Sequence, residues 1–364
     1  ANIRSTHSSS GWSARGGLTR NPYALDRNAS GSSSGAAAAI AANLAAAAIG
    51  TETDGSIVSP ASICGLVGLK PTVGLVSRDG IIPISHTQDT AGPMTRSVAD
   101  TALVLAAIAG ADARDGATAV AAPADYAAAL GGERLAGARL GVVRSQFGRH
   151  PDVDAVIEAA LETLRGAGAV IVDPVELDVT AVAEDELAVL LYELVADLPS
   201  WLAEFAPHAP VSTLAEVVAW NERHRAAQMP WFGQELFERA QRLGTLEETD
   251  YLEARSRCRL VAREEGIDHV LSEHRLDALL APTGGPAWVT DLVNGDNYGG
   301  SFSSPPAIAG YPHITVPAGF VHGLPVGLSF AGAPWSEELL IGLAHSFEQR
   351  THARRPPTFA ASSS

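Results

Sequence analysis

Two clusters of serine and glycine lie on either side of an alanine-rich segment, and they hold the residues best suited to chemistry. GSSSG occupies residues 31–35, and GTETDGSIVSP occupies residues 50–60. A serine hydrolase needs a hydroxyl, a base that takes its proton, and backbone N–H groups aimed at the oxyanion. Gly55 permits a tight turn whose amides face one way, so residues 53–56 could supply a nucleophile, Ser56, together with oxyanion donors. Most such loops are ordinary turns, and composition alone leaves that alternative open.

A third serine-rich segment competes with these two. Residues 5–13 read STHSSSGWS and place His7 among hydroxyl groups, although a surface histidine is the simpler interpretation. A G-x-S-x-G elbow would need glycine two residues before and after Ser56, where Asp54 and Val58 stand. The sequence also contains no S-x-x-K motif and neither of the glycine-rich nucleotide motifs. Dinucleotide and nucleotide-phosphate sites therefore have no support.

Composition favours a globular protein and argues against several kinds of function. Of the 364 residues, 46% are apolar and 18% are charged, which allows a large core. The net charge of −16 and the absence of a basic run argue against a nucleic-acid partner. The apolar stretch 36–49 is too short to span a membrane. Cys64 and Cys258 make no disulfide framework, and the histidines show no metal-binding spacing, so we expect no metal and no cofactor.

The elements that must position the serine clusters can be predicted from apolar periodicity and turn residues. An alanine-rich helix is predicted from Gly35 to about Ile49, which would place one serine cluster at each of its ends. A second helix is predicted over 97–109, where Ser97 is a candidate N-cap and Asp100 lies in the first turn.

Strands and helices alternate after about residue 137. Residues 140–143 and 169–172 have strand character, and residues 151–165 between them have helical periodicity. This β-α-β spacing predicts a parallel or mixed sheet covered by helices. Residues 180–275 are predicted to be mostly helical, with acids and arginines on the solvated faces.

The last third of the chain returns to strands. Strands are predicted at 276–280, 314–317 and 326–330, and a helix over 336–349 is expected to be capped by Ser336. No repeat or linker forces a domain boundary, so one α/β domain is the simplest interpretation.

Several motifs in a fixed order make the sequence resemble the amidase signature family. These are GSSSG at 31–35, GTETDGSIVSPAS at 50–62, CGLVGLKPT at 64–72, QDTAGPMTRS at 88–97, DALLAPT at 277–283, GYPHITVP at 310–317 and LPVGLSFAG at 324–332. Within the family, residues 1–27 and 73–94 are most similar to the bacterial peptide-amidase subgroup. Several motifs in the same order indicate the family far more specifically than any single motif does.

The resemblance implies a fold and an activity. The fold would be α/β, with a large mixed β-sheet core covered by helices on both sides. It would form one domain over 1–364, incomplete at its N-terminus, with a variable helical region at 180–300 that shapes the substrate pocket. The activity would be hydrolysis of carboxamides to acid and ammonia, with the C-terminal amides of peptides as the first candidate substrates.

The family mechanism uses a Ser–Ser–Lys triad. By motif position, the resemblance implies that Ser56 attacks the amide carbonyl and forms an acyl-enzyme. Ser32, which follows a cis peptide bond in family members, would relay protons between the nucleophile and the lysine. Backbone N–H groups of Thr53, Asp54 and Gly55 would hold the oxyanion, and one such donor is worth about 3 kcal/mol in the transition state.

Substrate contacts are expected from two parts of the chain, the first serine cluster and the helical region. Gly31 and Ser33 are candidates in the first serine cluster, and Tyr192 and Trp231 are candidates in the helical region, although such aromatic residues are more often plain core. Many family members have Gly-Gly-Ser-Ile-Arg around the nucleophile. Asp54 replaces the first of these glycines here, which is a property of the peptide-amidase subgroup.

The lysine of the triad has no counterpart in the sequence. In the family it lies on a strand that would precede Ala1, and the one lysine present, Lys70, matches a structural position in GLKPT. We therefore expect that a segment carrying the lysine precedes these residues. Without a base, a serine hydroxyl is a weak nucleophile near neutral pH, so this chain alone is expected to be inactive.

Other interpretations stay open. The chain could hydrolyse aryl or aliphatic amides such as mandelamide, or serve as the amidase subunit of a tRNA-dependent amidotransferase with a partner subunit. It could also be an inactive remnant that binds ligands. We expect a small amide or peptide-amide substrate, no nucleic-acid or membrane partner, and a monomer or homodimer. The polar start shows no signal peptide, so the cytoplasm is expected rather than secretion.

Overall fold

A mixed β-sheet of eight strands forms the centre of the computed structural model, which describes residues 2–363. In chain order the strands are β1 (Ala48–Glu52), β2 (Val67–Lys70), β3 (Thr90–Thr95), β4 (Arg139–Val143), β5 (Val170–Val175), β6 (Ala278–Pro282), β7 (His313–Val321) and β8 (Leu324–Ala331). Their order across the sheet is β1-β3-β2-β7-β8-β6-β4-β5. Two small antiparallel ribbons precede the sheet, namely Trp12–Ser13 with Gly17–Leu18 and Arg20–Asn21 with Ala24–Asn28.

Helices surround this sheet. They are α1 (Ser34–Ala41), α2 (Val58–Ile63), α3 (Val98–Ile108), α4 (Pro151–Gly166), α5 (Ala183–Phe205), α6 (Leu214–Arg223), α7 (Arg225–Gln228), α8 (Glu235–Ala240), α9 (Thr249–Arg259), α10 (Asp268–His274), α11 (Ser304–Ala309) and α12 (Glu337–Thr351). A π-helical segment, Leu260–Ile267, joins α9 to α10. Short 3-10 helices occur at Asn2–Arg4, Gly116–Val120, Ala128–Leu130, Arg144–Gln146 and Thr180–Val182.

Both faces of the sheet are covered, as the resemblance implies. Successive side chains of a strand point to opposite faces. In β6, Ala278 and Leu280 belong to the core cluster that includes α4 and α12, whereas Leu279 and Ala281 belong to the cluster that includes α10. A strand that is apolar at every position is therefore explained by burial on both sides.

The predicted β-α-β unit is confirmed. Strand β4 pairs in parallel with β5, and α4 connects them. Strand β6 also pairs in parallel with β4, while the other strand pairs of the sheet are antiparallel, so the sheet is mixed.

The prediction that the alanine-rich helix reaches Ile49 is wrong. Helix α1 ends at Ala41, and strand β1 begins at Ala48. Asn43 adopts a left-handed conformation with φ 60°, and the N–H of Leu44 donates to the carbonyl of Ala39 at 2.9 Å. This is the Schellman arrangement that ends helices, and asparagine is among the few residues that tolerate it.

One predicted helix cap is confirmed and another is wrong. The Ser97 hydroxyl accepts the N–H of Asp100 at 3.1 Å and donates to its carboxylate at 2.8 Å, so α3 begins as predicted. Ser336 precedes α12 but does not cap it, because its hydroxyl donates to the carbonyl of Ala333 at 2.7 Å.

The region between β5 and β6 is mainly helical, as predicted, and builds cores of its own. Leu191 and Leu194 of α5 pack with Leu236 of α8, while Tyr192 on the opposite side of α5 packs with Tyr251 of α9. Across residues 2–363, no helix has the length and apolar character needed to cross a bilayer.

Candidate active site

The turn between β1 and α2 carries Ser56 and depends on one glycine. Gly55 has φ +77°, a left-handed conformation that L side chains rarely adopt. A Cβ atom added at Gly55 would lie 2.9 Å from the Ser303 hydroxyl oxygen. The carbonyl of Gly55 also accepts the N–H of Ser59 at 2.9 Å, and helix α2 begins at Val58, two residues after Ser56.

A buried carboxylate fixes the far side of this turn. Glu52 is 1% exposed, and its Oε2 accepts the backbone N–H groups of Ile57 at 2.7 Å and Val58 at 3.1 Å. The carboxylate thus satisfies two of the orphan donors at the start of α2. Burial raises the pKa of Glu52, and the nearby charge of Lys70 and the two backbone hydrogen bonds oppose that rise.

A second carboxylate joins the turn to the neighbouring loop. The Thr53 hydroxyl donates to Asp89 Oδ1 at 2.6 Å. Asp89 Oδ2 accepts the backbone N–H groups of Ile84 and Ser85, each at 2.8 Å. Burial raises the pKa of Asp89, and the hydrogen bond from Thr53 works against that rise. The turn that carries Ser56 is therefore tied to the loop that contains Ile84.

The first serine cluster packs directly against the turn that carries Ser56. The Gly31–Ser32 peptide bond is cis, as the resemblance implies. The N–H of Ser33 donates to the carbonyl of Ser56 at 3.2 Å. The Ser33 hydroxyl donates to the carbonyl of Thr51 and accepts the N–H of Thr51, both at 3.1 Å. Three hydrogen bonds of one residue thus hold the two clusters together.

Ser32 and Ser56 line one cavity of about 430 Å³. The predicted site residues that line it are Gly31, Ser32, Thr53, Asp54, Gly55 and Ser56. Further hydroxyl groups and a carboxylate form a polar wall, contributed by Ser5, Thr6, Ser8, Ser10, Ser30, Ser59, Asp296 and Tyr298. An apolar wall is contributed by Ile3, Ile84, Leu187, Leu190 and Leu236. The cavity can therefore hold a ligand that has both a polar backbone and an apolar side chain.

Three predicted substrate contacts lie elsewhere. Ser33 connects the two serine clusters and does not line the cavity. Tyr192 is 5% exposed, packs on Tyr251 and donates its hydroxyl to Glu248 at 2.8 Å. Trp231 is half exposed and does not line the cavity.

None of the basic residues weighed from the sequence reaches this cavity. Lys70 is fully buried in β2, its Nζ donates to the carbonyl of Pro71 at 3.3 Å, and burial lowers its pKa to about 8. The His7 side chain is 81% exposed and lies 3.6 Å from Glu235. No lysine, arginine or histidine of residues 2–363 lines the cavity, and the same residues contain no cluster of three or more acidic, histidine or cysteine side chains that could hold a metal ion.

The structure adds lining residues that could not be chosen from the sequence. In the helical region, which was expected to shape the substrate pocket, Leu187 and Leu190 of α5 and Leu236 of α8 line this cavity. Their apolar periodicity is the same as that of core residues. Asp296 lies in an irregular loop, where its carboxylate accepts the N–H groups of Ser10 at 2.8 Å and of the Trp288 indole at 3.0 Å.

A family model, related sequences and solved structures each match this chain over more than nine-tenths of its length. The family model described as Amidase matches residues 3–341. A protein of Arabidopsis thaliana named as a probable amidase is 38% identical over 372 residues, which cover 99% of this chain and 68% of that protein. A glutamyl-tRNA(Gln) amidotransferase subunit of Geobacter metallireducens is 36% identical and is matched over 94% of this chain and 72% of its own length. The solved structure of the peptide amidase from Stenotrophomonas maltophilia is 53% identical, with a TM-score of 0.92, and the match covers 99% of this chain and 73% of that one.

Proposed function

The chain belongs to the amidase signature family and is an amide-hydrolysing enzyme, and on this premise we propose that it removes the terminal amide from the C-terminus of peptides. The observation that carries the proposal is that Ser32 and Ser56 open into one cavity with a polar and an apolar wall. The 53% identity to a peptide amidase supports the same substrate, whereas the identity to a bacterial aryl acylamidase is 25%.

The described residues supply a group for each step of the proposed reaction except the final uptake of the proton by the base. Ser56 Oγ attacks the amide carbonyl carbon, and its proton passes to Ser32 and onward to the base. Backbone N–H groups of residues 53–56 stabilise the resulting oxyanion, a contribution of about 3 kcal/mol for each donor. The proton returns to the amide nitrogen, the C–N bond breaks, and ammonia leaves an ester on Ser56. Water attacks that ester by the same route and releases the acid.

The walls of the cavity suggest how a peptide amide would bind. Leu187 and Leu190 of α5 offer an apolar surface for the side chain of the amidated residue. Hydroxyl groups such as those of Ser8 and Ser10 lie on the polar wall, where the peptide backbone can make hydrogen bonds. This arrangement supports a peptide substrate over a small aliphatic amide, which would leave most of the cavity unfilled.

The base is the one part of the proposed triad that the described residues do not bring to the cavity. Lys70 is buried in the sheet, and its amine contacts a backbone carbonyl. We propose that the lysine comes from outside these 364 residues. General-base assistance accelerates a reaction by about 10²- to 10⁴-fold. The 364-residue chain by itself should therefore hydrolyse amides more slowly, by a factor in that range, than a form that contains the lysine.

The proposal is tested by ammonia release from an N-protected dipeptide amide. The assay compares the 364-residue chain with the same chain preceded by a lysine-bearing segment, and Ser56→Ala and Ser32→Ala variants serve as controls. Faster turnover of benzamide or mandelamide than of the peptide amide would refute the substrate. Rapid turnover by the 364-residue chain alone would refute the external lysine. Glutamine-dependent ammonia production with a co-purifying second chain would favour an amidotransferase subunit instead.

A further inference from the structure

Two acidic side chains meet at the turn of residues 53–56, here called the oxyanion turn because its N–H groups would bind the oxyanion. Asp54 belongs to the turn, Glu186 belongs to α5, and the two carboxyl groups are in hydrogen-bonding contact. Glu186 is 8% exposed. Asp54 Oδ2 accepts the hydroxyl of Ser304 at 2.7 Å, and the hydroxyl of Ser303 lies close to the same carboxyl.

A glutamine side chain ties the same two elements together. Gln88 Nε2 donates to Glu186 Oε1 at 2.9 Å and to the carbonyl of Thr53 at 3.3 Å. Thr53 precedes Asp54 in the oxyanion turn. The contact between Asp54 and Glu186 is therefore part of a larger junction between that turn and α5, the helix that supplies Leu187 and Leu190 to the cavity.

One oxygen of the Asp54 carboxyl group is left without a hydrogen bond by the described residues. Asp54 Oδ1 is buried and receives no hydrogen bond from the donors of residues 2–363. Burial of an ionised carboxylate oxygen that accepts no hydrogen bond is unfavourable. A proton held between the two carboxyl groups would let one of them donate a hydrogen bond to the other. It also removes the repulsion between two adjacent negative charges.

We propose that Asp54 and Glu186 share one proton, and that this singly protonated pair fastens the oxyanion turn to helix α5. The proposal rests on the proposed function, because it gives the pair a role in positioning the backbone N–H groups that would bind the oxyanion. Asp54 and Glu186 are positioning residues in this account, since they act through the backbone of the turn.

The electrostatic surroundings support a retained proton. Burial is the largest cause that raises the pKa of both carboxyl groups, and the charge of Asp54 adds to the rise at Glu186, which reaches about 8. The other titratable groups that face the pair are Glu52 of β1, Lys70 of β2, Cys258 of α9 and Tyr298. Lys70 is the one cation among them, and burial lowers its own pKa to about 8.

Loss of the shared proton has a predictable effect. Two negative charges would then lie next to the turn whose N–H groups must stabilise a third, on the oxyanion. A carboxyl group with a raised pKa in the folded state contributes stability at low pH that is lost as the pH rises through that pKa. Stability and turnover should therefore both fall as the pH rises through about 8.

The test uses Glu186→Gln and Asp54→Asn, each of which replaces the shared proton with a permanent N–H donor. Glu184→Gln is the matched control, because it removes the same charge from the same helix at a side chain that is 85% exposed. Urea midpoints are measured between about pH 6 and pH 9. The fall in midpoint across this range should be at least halved in both pair variants and unchanged in the control.

Two further measurements complete the test. An infrared difference spectrum of wild type minus Glu186→Gln should show the carbonyl band of a protonated carboxyl at neutral pH, and this band should disappear above about pH 9. In the active enzyme, the alkaline fall of kcat should weaken in Glu186→Gln while KM stays constant. Midpoints that fall in parallel in all four proteins, or a missing infrared band, would overturn the proposal. If the stability and infrared results hold but no peptide amide is hydrolysed, the proposed function fails and the shared proton stands.

Discussion

Substitution of Glu52 gives the sharpest test of how the turn that carries Ser56, the proposed nucleophile, is held. The Glu52→Ala variant removes the acceptor of two backbone N–H groups, those of Ile57 and Val58, and leaves both buried. An unsatisfied buried donor costs about 1–3 kcal/mol. The buried Lys70 also loses a neighbouring countercharge. We expect the free energy of unfolding to fall by about 3–5 kcal/mol, since neighbouring losses are not fully additive.

A conservative variant separates the hydrogen bonds from the charge. A single oxygen of Glu52, Oε2, accepts both N–H groups, so the amide oxygen of Glu52→Gln can take over both hydrogen bonds. The amide nitrogen would occupy the place of Oε1, which is buried and has no hydrogen-bond partner among residues 2–363. We expect this variant to cost about 1–2 kcal/mol, the price of burying one unpaired polar group.

Urea denaturation at neutral pH measures both losses, and fluorophosphonate labelling of Ser56 in an active, lysine-containing form reports whether the nucleophile is still presented. Glu52→Ala should lose this labelling, whereas Glu52→Gln should keep most of it. Equal destabilisation by the two variants would refute the role assigned to the hydrogen bonds. A cost below about 1 kcal/mol for Glu52→Ala would refute it as well.

Three further outcomes are expected. Gly55→Ala must place a Cβ atom 2.9 Å from the Ser303 hydroxyl at φ +77°, so it should destabilise by about 1–3 kcal/mol and lower kcat, as measured by urea denaturation and ammonia release. Leu187→Ala should raise KM for peptide amides with large apolar terminal residues about 10-fold, whereas Trp231→Ala, outside the cavity, should leave KM unchanged; equal effects would contradict the cavity assignment. Burial raises the pKa of Glu348 to about 7, so its stabilising contribution is lost as the pH rises through 7, and Glu348→Gln should have a flatter stability profile than wild type by thermal denaturation.

Much of the fold could be predicted because it depends on local patterns. The β-α-β unit around α4 follows from short apolar runs that flank an amphipathic segment, and the Ser97 cap follows from one hydroxyl and one acid at the right spacing. The end of α1 could not be placed from alanine content, because alanine is compatible with both helix and the edge strand that follows. Asn43 was the local signal, since it tolerates the left-handed conformation that ends the helix.

The site could be predicted only in part, for a different reason. Ordered motifs predicted that Ser32, Ser56 and the turn between β1 and α2 belong to one site, and the structure places these residues around one cavity. Glu186 follows Asp54 by 132 residues, and no local sequence pattern connects the two. The substrate contacts chosen in the helical region were large aromatic residues, whereas the cavity is lined there by leucines that look like core.

The hydroxyl of Ser33 has a consequence for how the molecule behaves among other chains. Strand β1 lies at the end of the sheet, and an edge strand of this kind offers unpaired N–H and C=O groups on which foreign strands can add. At Thr51 both of these groups are already bound by Ser33. A strand that approached this edge would have to break both hydrogen bonds before it could pair past Gly50. Ser33, which holds the two serine clusters together, thus also hinders the addition of foreign strands at that edge of the sheet.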